Sequence, residues 1–254
     1  MRCIDLNCDL GEGAAHDAEL MPWITSANIA CGGHAGDAAT MRATVALARQ
    51  HGVAVGAHPG FADREHFGRR ELPLSPFDVA ILVGAQIQAL QDVALGLGAA
   101  VRHVKLHGAL YNRASRDRAL AEAIVRTVRM TAKEPMLFAL AGSELERVAR
   151  GHDDVRVLSE AFADRTYRAD GSLTPRSQPG ALIQDEDAMV AQVLCMVREG
   201  RVRATDGADV PLAVETVCVH GDGPHAVAFV RRLARELREA GIDLRAPVAR
   251  QTGG

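Results

Sequence analysis

Nearly every short apolar run in this 254-residue sequence ends in a side chain that can carry a proton, a charge or a ligand bond. The first leads into Asn7, Asp9 and Glu12, the second into Cys31 and His34, and the third into His58. A later one ends in Lys105-Leu106-His107, another leads to Glu160 and Asp164, and the last strong one to His220-Gly221-Asp222. Carboxylates and imidazoles brought to one place can move protons, and an ammonium among them can stabilise developing negative charge. Asp5, Asn7 and Asp9 are spaced by two, as are His103, Lys105 and His107, and Cys218, His220 and Asp222. Each triplet therefore shares one face of a strand. A buried polar residue is often only a satisfied hydrogen-bonding group, and that reading competes for each of these taken singly. For the whole set, a functional site is the better account.

The elements that must position these residues follow from hydrophobic periodicity. Strands are expected over 3–8, 27–31, 53–56, 101–106, 135–140, 155–159, 216–219 and 242–244, and helices of 3.6-residue period over 38–50, 77–97, 118–131, 144–149, 186–198 and 226–240. Ser75-Pro76 opens one helix, and Gly200 and Gly241 close two others. The segment 202–212, with Asp206-Gly207 at its centre, reads as a hairpin. Strand–helix repetition predicts a parallel sheet with helices outside it, and seven or eight units in one domain over 1–254 match a β/α barrel. The rival is a doubly wound open sheet. In a barrel the strand ends converge on one mouth, whereas in an open sheet they are spread along an edge, so the reactive strand ends favour the barrel.

Composition narrows the function. A formal net charge of -3 lacks the basic excess of a nucleic-acid binder. The sequence shows no signal-peptide core and no run of 18 apolar residues, so no membrane association is expected. Five cysteines without a C-x-x-C pair read as reduced thiols in a cytoplasmic protein. Only Lys105 and Lys133 are lysines, and neither follows a glycine, so a P-loop is excluded; H-E-x-x-H and G-x-S-x-G are absent too. Gly221-Asp222-Gly223-Pro224-His225-Ala226 is a weak G-x-G-x-x-A match, read as an anion site at a helix start or as a tight turn. In the charged loop 61–70, Arg64 or Arg69 is a candidate clamp for a substrate carboxylate; a solvated loop is the alternative. The stretch 160–180 is expected to be a binding loop or lid.

Several blocks of the sequence resemble the LamB/YcsF family. They are Asp5-Leu6-Asn7-Cys8-Asp9-Leu10-Gly11-Glu12, the run from Ser26-Ala27-Asn28 to Cys31-Gly32-Gly33-His34-Ala35-Gly36-Asp37, and Gly56-Ala57-His58-Pro59. The others are His103-Val104-Lys105-Leu106-His107-Gly108-Ala109-Leu110-Tyr111-Asn112, Phe162-Ala163-Asp164-Arg165, Pro175-Arg176-Ser177 and Val219-His220-Gly221-Asp222. Gly33 and Leu106 stand where that family commonly carries Phe and Pro. The resemblance implies an irregular seven-stranded, TIM-like β/α barrel of the glycoside hydrolase/deacetylase type. It further implies ATP-driven opening of the lactam of 5-oxoproline to L-glutamate, by an A-type subunit working with separate B and C subunits. ATP, bound with or by those partners, is the implied cofactor, with or without a divalent cation such as Mg²⁺; a homo-oligomer is compatible.

For that chemistry the expected catalytic residues are Asp9 as base or water-orienting group, Lys105 and His107 on the developing charge or phosphoryl group, and His58 and His220 as acid or orienting partners. Expected substrate contacts are Asn7, Glu12, Asn28, Arg64, Arg69, Tyr111, Glu160, Arg165, Arg176 and Asp222. A second reading from the same fold group is a stand-alone, metal-dependent deacetylase with Asp9, His34 and His58 as ligands. A third is a non-catalytic, substrate-binding subunit.

Overall fold

The computed structural model describes residues 2–220 and 226–248. Strand β1 (Arg2–Leu10) is followed by a short helix α1 (Asp17–Leu20), then β2 (Ser26–Ala30), α2 (Ala38–His51), β3 (Ala54–His58), α3 (Pro76–Gly96) and β4 (Val101–Lys105). Next come α4 (Gly108–Ala114), α5 (Arg118–Thr131), β5 (Met136–Leu140), α6 (Glu144–Arg150), β6 (Arg156–Phe162) and α7 (Glu186–Glu199). A small hairpin, β7 (Arg201–Arg203) and β8 (Asp209–Pro211), precedes β9 (Thr216–Val219), α8 (Ala226–Glu239) and β10 (Ile242–Leu244).

The predicted strands and helices form within a few residues of their expected limits, and the hairpin forms around Asp206-Gly207. Side chains terminate the helices as the caps require: Asp37, Ser75, Asp117, Ser143 and Asp185 each accept from the backbone N–H three residues on. Periodicity does not announce the helices α1 and α4. They have four and seven residues, too few for a helical period to register.

Strands β1 to β6 pair in order, all parallel, and β9 lies between β6 and β1, closing a seven-stranded ring. This overturns the open-sheet rival. The eighth predicted strand, β10, lies outside the ring and pairs with the start of β1, Arg2 opposite Ile242. The second half of β1 pairs with β9, Asp5 opposite Thr216. Strand alternation then divides the chemistry. Ile4, Leu6, Cys8 and Leu10 join the buried apolar layer between ring and helices, while the alternate residues Asp5, Asn7 and Asp9 belong to a polar interior. A separate apolar cluster of Met136, Phe138 and Leu158 fills one side of that interior, with His103 stacked on Phe138 at 4.1 Å.

By length and composition α3 is the one described helix that could span a bilayer. Its residues Val79, Val83, Ile87, Leu90 and Ala94 are buried, as expected of a barrel helix packed on one face.

Candidate active site

The interior forms one connected polar network. Asp5 accepts hydrogen bonds from the hydroxyls of Thr25, Ser26 and Thr216. Burial outweighs these donors and raises its pKa to about 6. Asn7 donates to Thr216 Oγ1 (2.6 Å) and Glu160 Oε1 (3.0 Å). Asn28 donates to Asn7 Oδ1 (2.7 Å) and Asp9 Oδ1 (2.8 Å), and accepts from His103 Nε2 at 2.8 Å. Above them Lys105 Nζ, on a fully buried side chain, donates to Asp9 Oδ1 (2.8 Å), Asn7 Oδ1 (3.2 Å) and Cys218 Sγ (2.9 Å). It also lies 3.1 Å from Glu160 Oε1. Burial works against the ammonium, but Asp9, Cys218 and Glu160 outweigh it and hold Lys105 well above its ordinary pKa. Burial would raise the Asp9 pKa, but His58 and then Lys105 outweigh it and keep Asp9 well below the usual carboxylate range. Both are therefore charged at neutral pH. An unpaired buried charge costs several kcal/mol, which explains why the network closes on itself.

Beside Asp9, three imidazoles surround Glu12. His34 Nε2 donates to Glu12 Oε1 (2.9 Å), His107 Nδ1 is 3.2 Å from the same oxygen and His58 Nε2 is 3.6 Å from it. His34 and His107 are stacked at 3.6 Å. Each of two rings donates its remote N–H to a carbonyl: His58 Nδ1 to Lys105 O (2.8 Å) and His107 Nε2 to Phe67 O (2.9 Å). Phe67 is the only described non-glycine residue with positive φ, +53°. Strain of this kind gathers at functional sites, and here it turns the carbonyl onto His107 while the Phe67 ring packs edge-on against His34 and His107. Burial lowers the His34 pKa to about 4 and also lowers that of His107. For His58, Asp9 at 3.3 Å overcomes burial and the pKa rises.

These two assemblies border a cavity of about 320 Å³ at the ring's C-terminal mouth. Its other walls are Arg69, Tyr111, Phe162 at the end of β6, and the segment that follows, which contributes Arg165, Leu173, Pro175, Arg176 and Ser177. His220 stands at the rim, donating from Nδ1 to Asp164 (2.8 Å) while its Nε2 accepts from Arg176 Nη2 (3.0 Å). Burial would raise the Asp164 pKa, but His220 and Arg176 hold it below its ordinary value. A carboxylate-oriented imidazole beside a guanidinium is suited to proton transfer on an anionic substrate.

Of the expected residues, Asp9, Glu12, His58, Lys105, His107, Arg69, Tyr111, Arg165, Arg176 and His220 line the cavity. Asn7, Asn28 and Glu160 are buried beneath it and hold other side chains, so they support the site rather than border it. Tyr111 gives its hydroxyl proton to Glu160 Oε2 at 2.7 Å. Arg64 does not reach the cavity; it donates to the carbonyls of Gly32 (3.0 Å) and Gly36 (2.9 Å), bracing the loop that carries His34. Asp222, and with it the anion site suggested at 221–226, falls on residues outside those described, apart from Ala226. The expected ligand set also shifts: His34 and His58 converge with Glu12 and His107, whereas Asp9 groups with Cys218 and His220. Two members of the site carry no assigned role in the sequence reading. Asp164 stands out in the sequence only as a residue beyond a strand end, and its partner His220 is 56 positions away. Phe67 acts through its backbone, which side-chain chemistry does not reveal. Gly33, free of a Cβ, leaves room for Gln86, which clasps both the N–H and the C=O of Gly60.

The comparisons with known proteins agree with this fold. The A subunit of a 5-oxoprolinase from Geobacillus kaustophilus (strain HTA426) is 52% identical over 251 residues, covering 97% of this chain and 98% of the relative. The crystal structure of a lactam utilization protein from Thermus thermophilus superposes with a TM-score of 0.90 at 43% identity, covering 97% of this chain and 100% of that one. A family 4 carbohydrate esterase from Streptomyces lividans shares the fold alone, with a TM-score of 0.51 at 13% identity over 99% of this chain and 95% of its own. The LamB/YcsF profile matches residues 4–252, and the chain belongs to the LamB/YcsF family.

Proposed function

We propose that this chain is the A-type subunit of an ATP-driven 5-oxoprolinase, opening the lactam of 5-oxo-L-proline to L-glutamate. The observation that carries the reading is Lys105 held charged against Asp9 at the floor of a small cavity walled by Arg69, Arg165 and Arg176. The near full-length identity to a protein of that name supports it. The cavity is at the small end of the range for ligand sites, about 300–1,000 Å³, and suits a compact anion.

A five-membered lactam is a resonance-stabilised amide that water attacks slowly. Phosphorylation of its oxygen by ATP makes the ring carbon electrophilic: water adds there, the C–N bond breaks as the nitrogen takes a proton, and the resulting γ-glutamyl phosphate is hydrolysed by a second water to glutamate and inorganic phosphate. The guanidiniums hold the substrate carboxylate, Arg176 by releasing His220. Asp9, ionised because Lys105 and His58 face it, orients or deprotonates the attacking water. Lys105 stabilises negative charge at the former carbonyl, and His220, oriented by Asp164, exchanges the proton of the departing nitrogen. The partner B and C subunits supply the ATP-dependent step, with Mg²⁺ accompanying the nucleotide. The free thiols fit a cytoplasmic setting.

The test is release of ADP and glutamate from 5-oxoproline by this chain alone and with its partner subunits. The complex should turn over, and Asp9→Asn and Lys105→Ala should each lower the rate at least 100-fold, roughly the scale of losing one preorganised electrostatic group. Unchanged turnover in either variant refutes the assignment, and glutamate formation by the chain alone without ATP refutes the subunit reading.

A further inference from the structure

The histidine cluster has a geometry that lactam opening does not use. A carbonyl oxygen can only accept a hydrogen bond, so His58 must donate from Nδ1 to Lys105 O and His107 from Nε2 to Phe67 O. If both rings are neutral, the nitrogens left over carry lone pairs. These two atoms, His58 Nε2 and His107 Nδ1, face one another at 2.9 Å, with Glu12 Oε1 at 3.6 and 3.2 Å from them. His34 Nε2 reaches the same oxygen at 2.9 Å. Two lone pairs and a carboxylate converging on one point need a cation between them.

We propose that Glu12, His58 and His107 form a three-ligand binding site, open to the cavity at its fourth position, for a first-row divalent transition-metal ion, with zinc the best fit. Around a tetrahedral zinc with bonds of about 2.0–2.1 Å, ligand atoms stand roughly 3.3 Å apart. The separations among Glu12 Oε1, His58 Nε2 and His107 Nδ1, 2.9, 3.2 and 3.6 Å, bracket that edge, while His34, its ring parallel to that of His107 at 3.6 Å, steadies Glu12 from the side. Two imidazoles and one carboxylate suit such an ion, whereas magnesium and calcium prefer all-oxygen sets. The remote-nitrogen bonds of His58 and His107 to carbonyls are the supports that orient metal-binding imidazoles. The ligands come from the ends of β1, β3 and β4, and the rings cannot turn away. A Cβ on Gly60 would lie 2.7 Å from His34 Nδ1, and one on Gly68 2.7 Å from His34 Cβ and 3.1 Å from His107 Cδ2. The stacked pair is thus wedged between two glycines. Glu12, His58 and His107 border the cavity, so an ion held here is reachable from it.

The test uses the isolated, chelator-treated chain and needs no turnover. Titration with zinc chloride should give one equivalent per chain and a higher melting temperature, and cobalt(II) in its place should give the strong visible absorption of a tetrahedral site. His58→Gln and His107→Gln should each weaken zinc binding by at least the roughly 10–100-fold lost when even a supporting partner is removed. His220→Gln, in the neighbouring Asp9–Cys218 group, should leave the stoichiometry unchanged. No zinc uptake by the folded wild-type chain overturns the proposal and assigns the central cation to a proton on His58. Undiminished binding in both cluster variants, or loss only in His220→Gln, also overturns it. If a cluster variant does not fold, the cobalt spectrum of the wild-type chain decides.

Discussion

At the scale of single residues, alternation along β1, β4 and β9 is enough to mark which side chains face the interior, because a strand sends every second residue to the same face. It cannot show partners, since Asp9 meets Lys105 across 96 positions and His220 meets Asp164 across 56. Nor can it separate the cavity wall from its support, as Asn28 and Glu160 illustrate. His103 is a case with a measurable sign. Buried against Phe138, with Nδ1 lacking a partner, it has its pKa lowered by burial and then by Lys105 to about 3. The unfolded chain therefore binds a proton here below about pH 6.5 that the folded chain refuses. Stability from this group is intact above pH 6.5 and is lost as pH falls toward 3, by about 1.4 kcal/mol per pH unit. His103→Gln, which can still donate to Asn28, should flatten the acid limb by one proton; urea unfolding at pH 7, 6 and 5 with parallel slopes for both proteins would exclude this. Asp164 offers the contrasting case. Asp164→Asn keeps the shape and a hydrogen bond to His220 but loses the charge that orients the imidazole. Turnover of the complex should fall by about 10²–10⁴-fold, the usual worth of an acid–base group, with melting temperature nearly unchanged. A loss of stability in step with activity would make Asp164 structural instead.

At the scale of elements, strand and helix limits are legible because apolar periods of two and 3.6 residues alternate cleanly along the chain. What periodicity cannot supply is the close fit inside the ring. Gly56 lies on β3 at a shift of register against β4, and a Cβ there would stand 2.0 Å from His103 Nε2. Strand and imidazole thus occupy space that permits no side chain between them, and the site floor depends on it because His103 in turn holds Asn28. Gly56→Ala should cost about 1–3 kcal/mol, the range for overpacking a tight core. The double variant with His103→Ala should recover part of that loss, giving a coupling of about 0.5–3 kcal/mol in a double-mutant cycle. Additive losses would show that the two residues do not compete for the same space. The same closeness explains why α4 matters despite its seven residues: Gly108, with φ of +54°, would place a Cβ 2.7 Å from Gly68 O, locking the loop that carries Phe67 and Arg69 to the strand that carries Lys105.

At the scale of the whole molecule, ring closure joins β1 to β9 across more than 200 positions, so no local pattern can announce it. The barrel is legible only through the reactive strand ends, which a closed ring gathers at one mouth. Closure also makes the polar interior a single unit, with charges from β1, β4 and β6 neutralising one another around one cavity. That unit can receive an anionic lactam without a nucleotide: Lys105 is already in place and Arg176 has only to leave His220, while Lys133 borders a cavity at the opposite end of the strands, with Val53, Val101 and Met136. If ATP is handled by partner subunits, the isolated chain should separate the two ligands. At a hundredfold excess over its Kd, 5-oxoproline should stabilise the folded chain by about 2.7 kcal/mol. For a domain of this size that is a rise in melting temperature of roughly 5–10 °C. ATP with Mg²⁺ alone should leave the melting temperature where it was. A comparable rise with ATP alone would place the nucleotide in this barrel and make the neighbouring subunits accessories to binding, whereas no rise with 5-oxoproline would mean that the cavity becomes a lactam site only in the assembled complex.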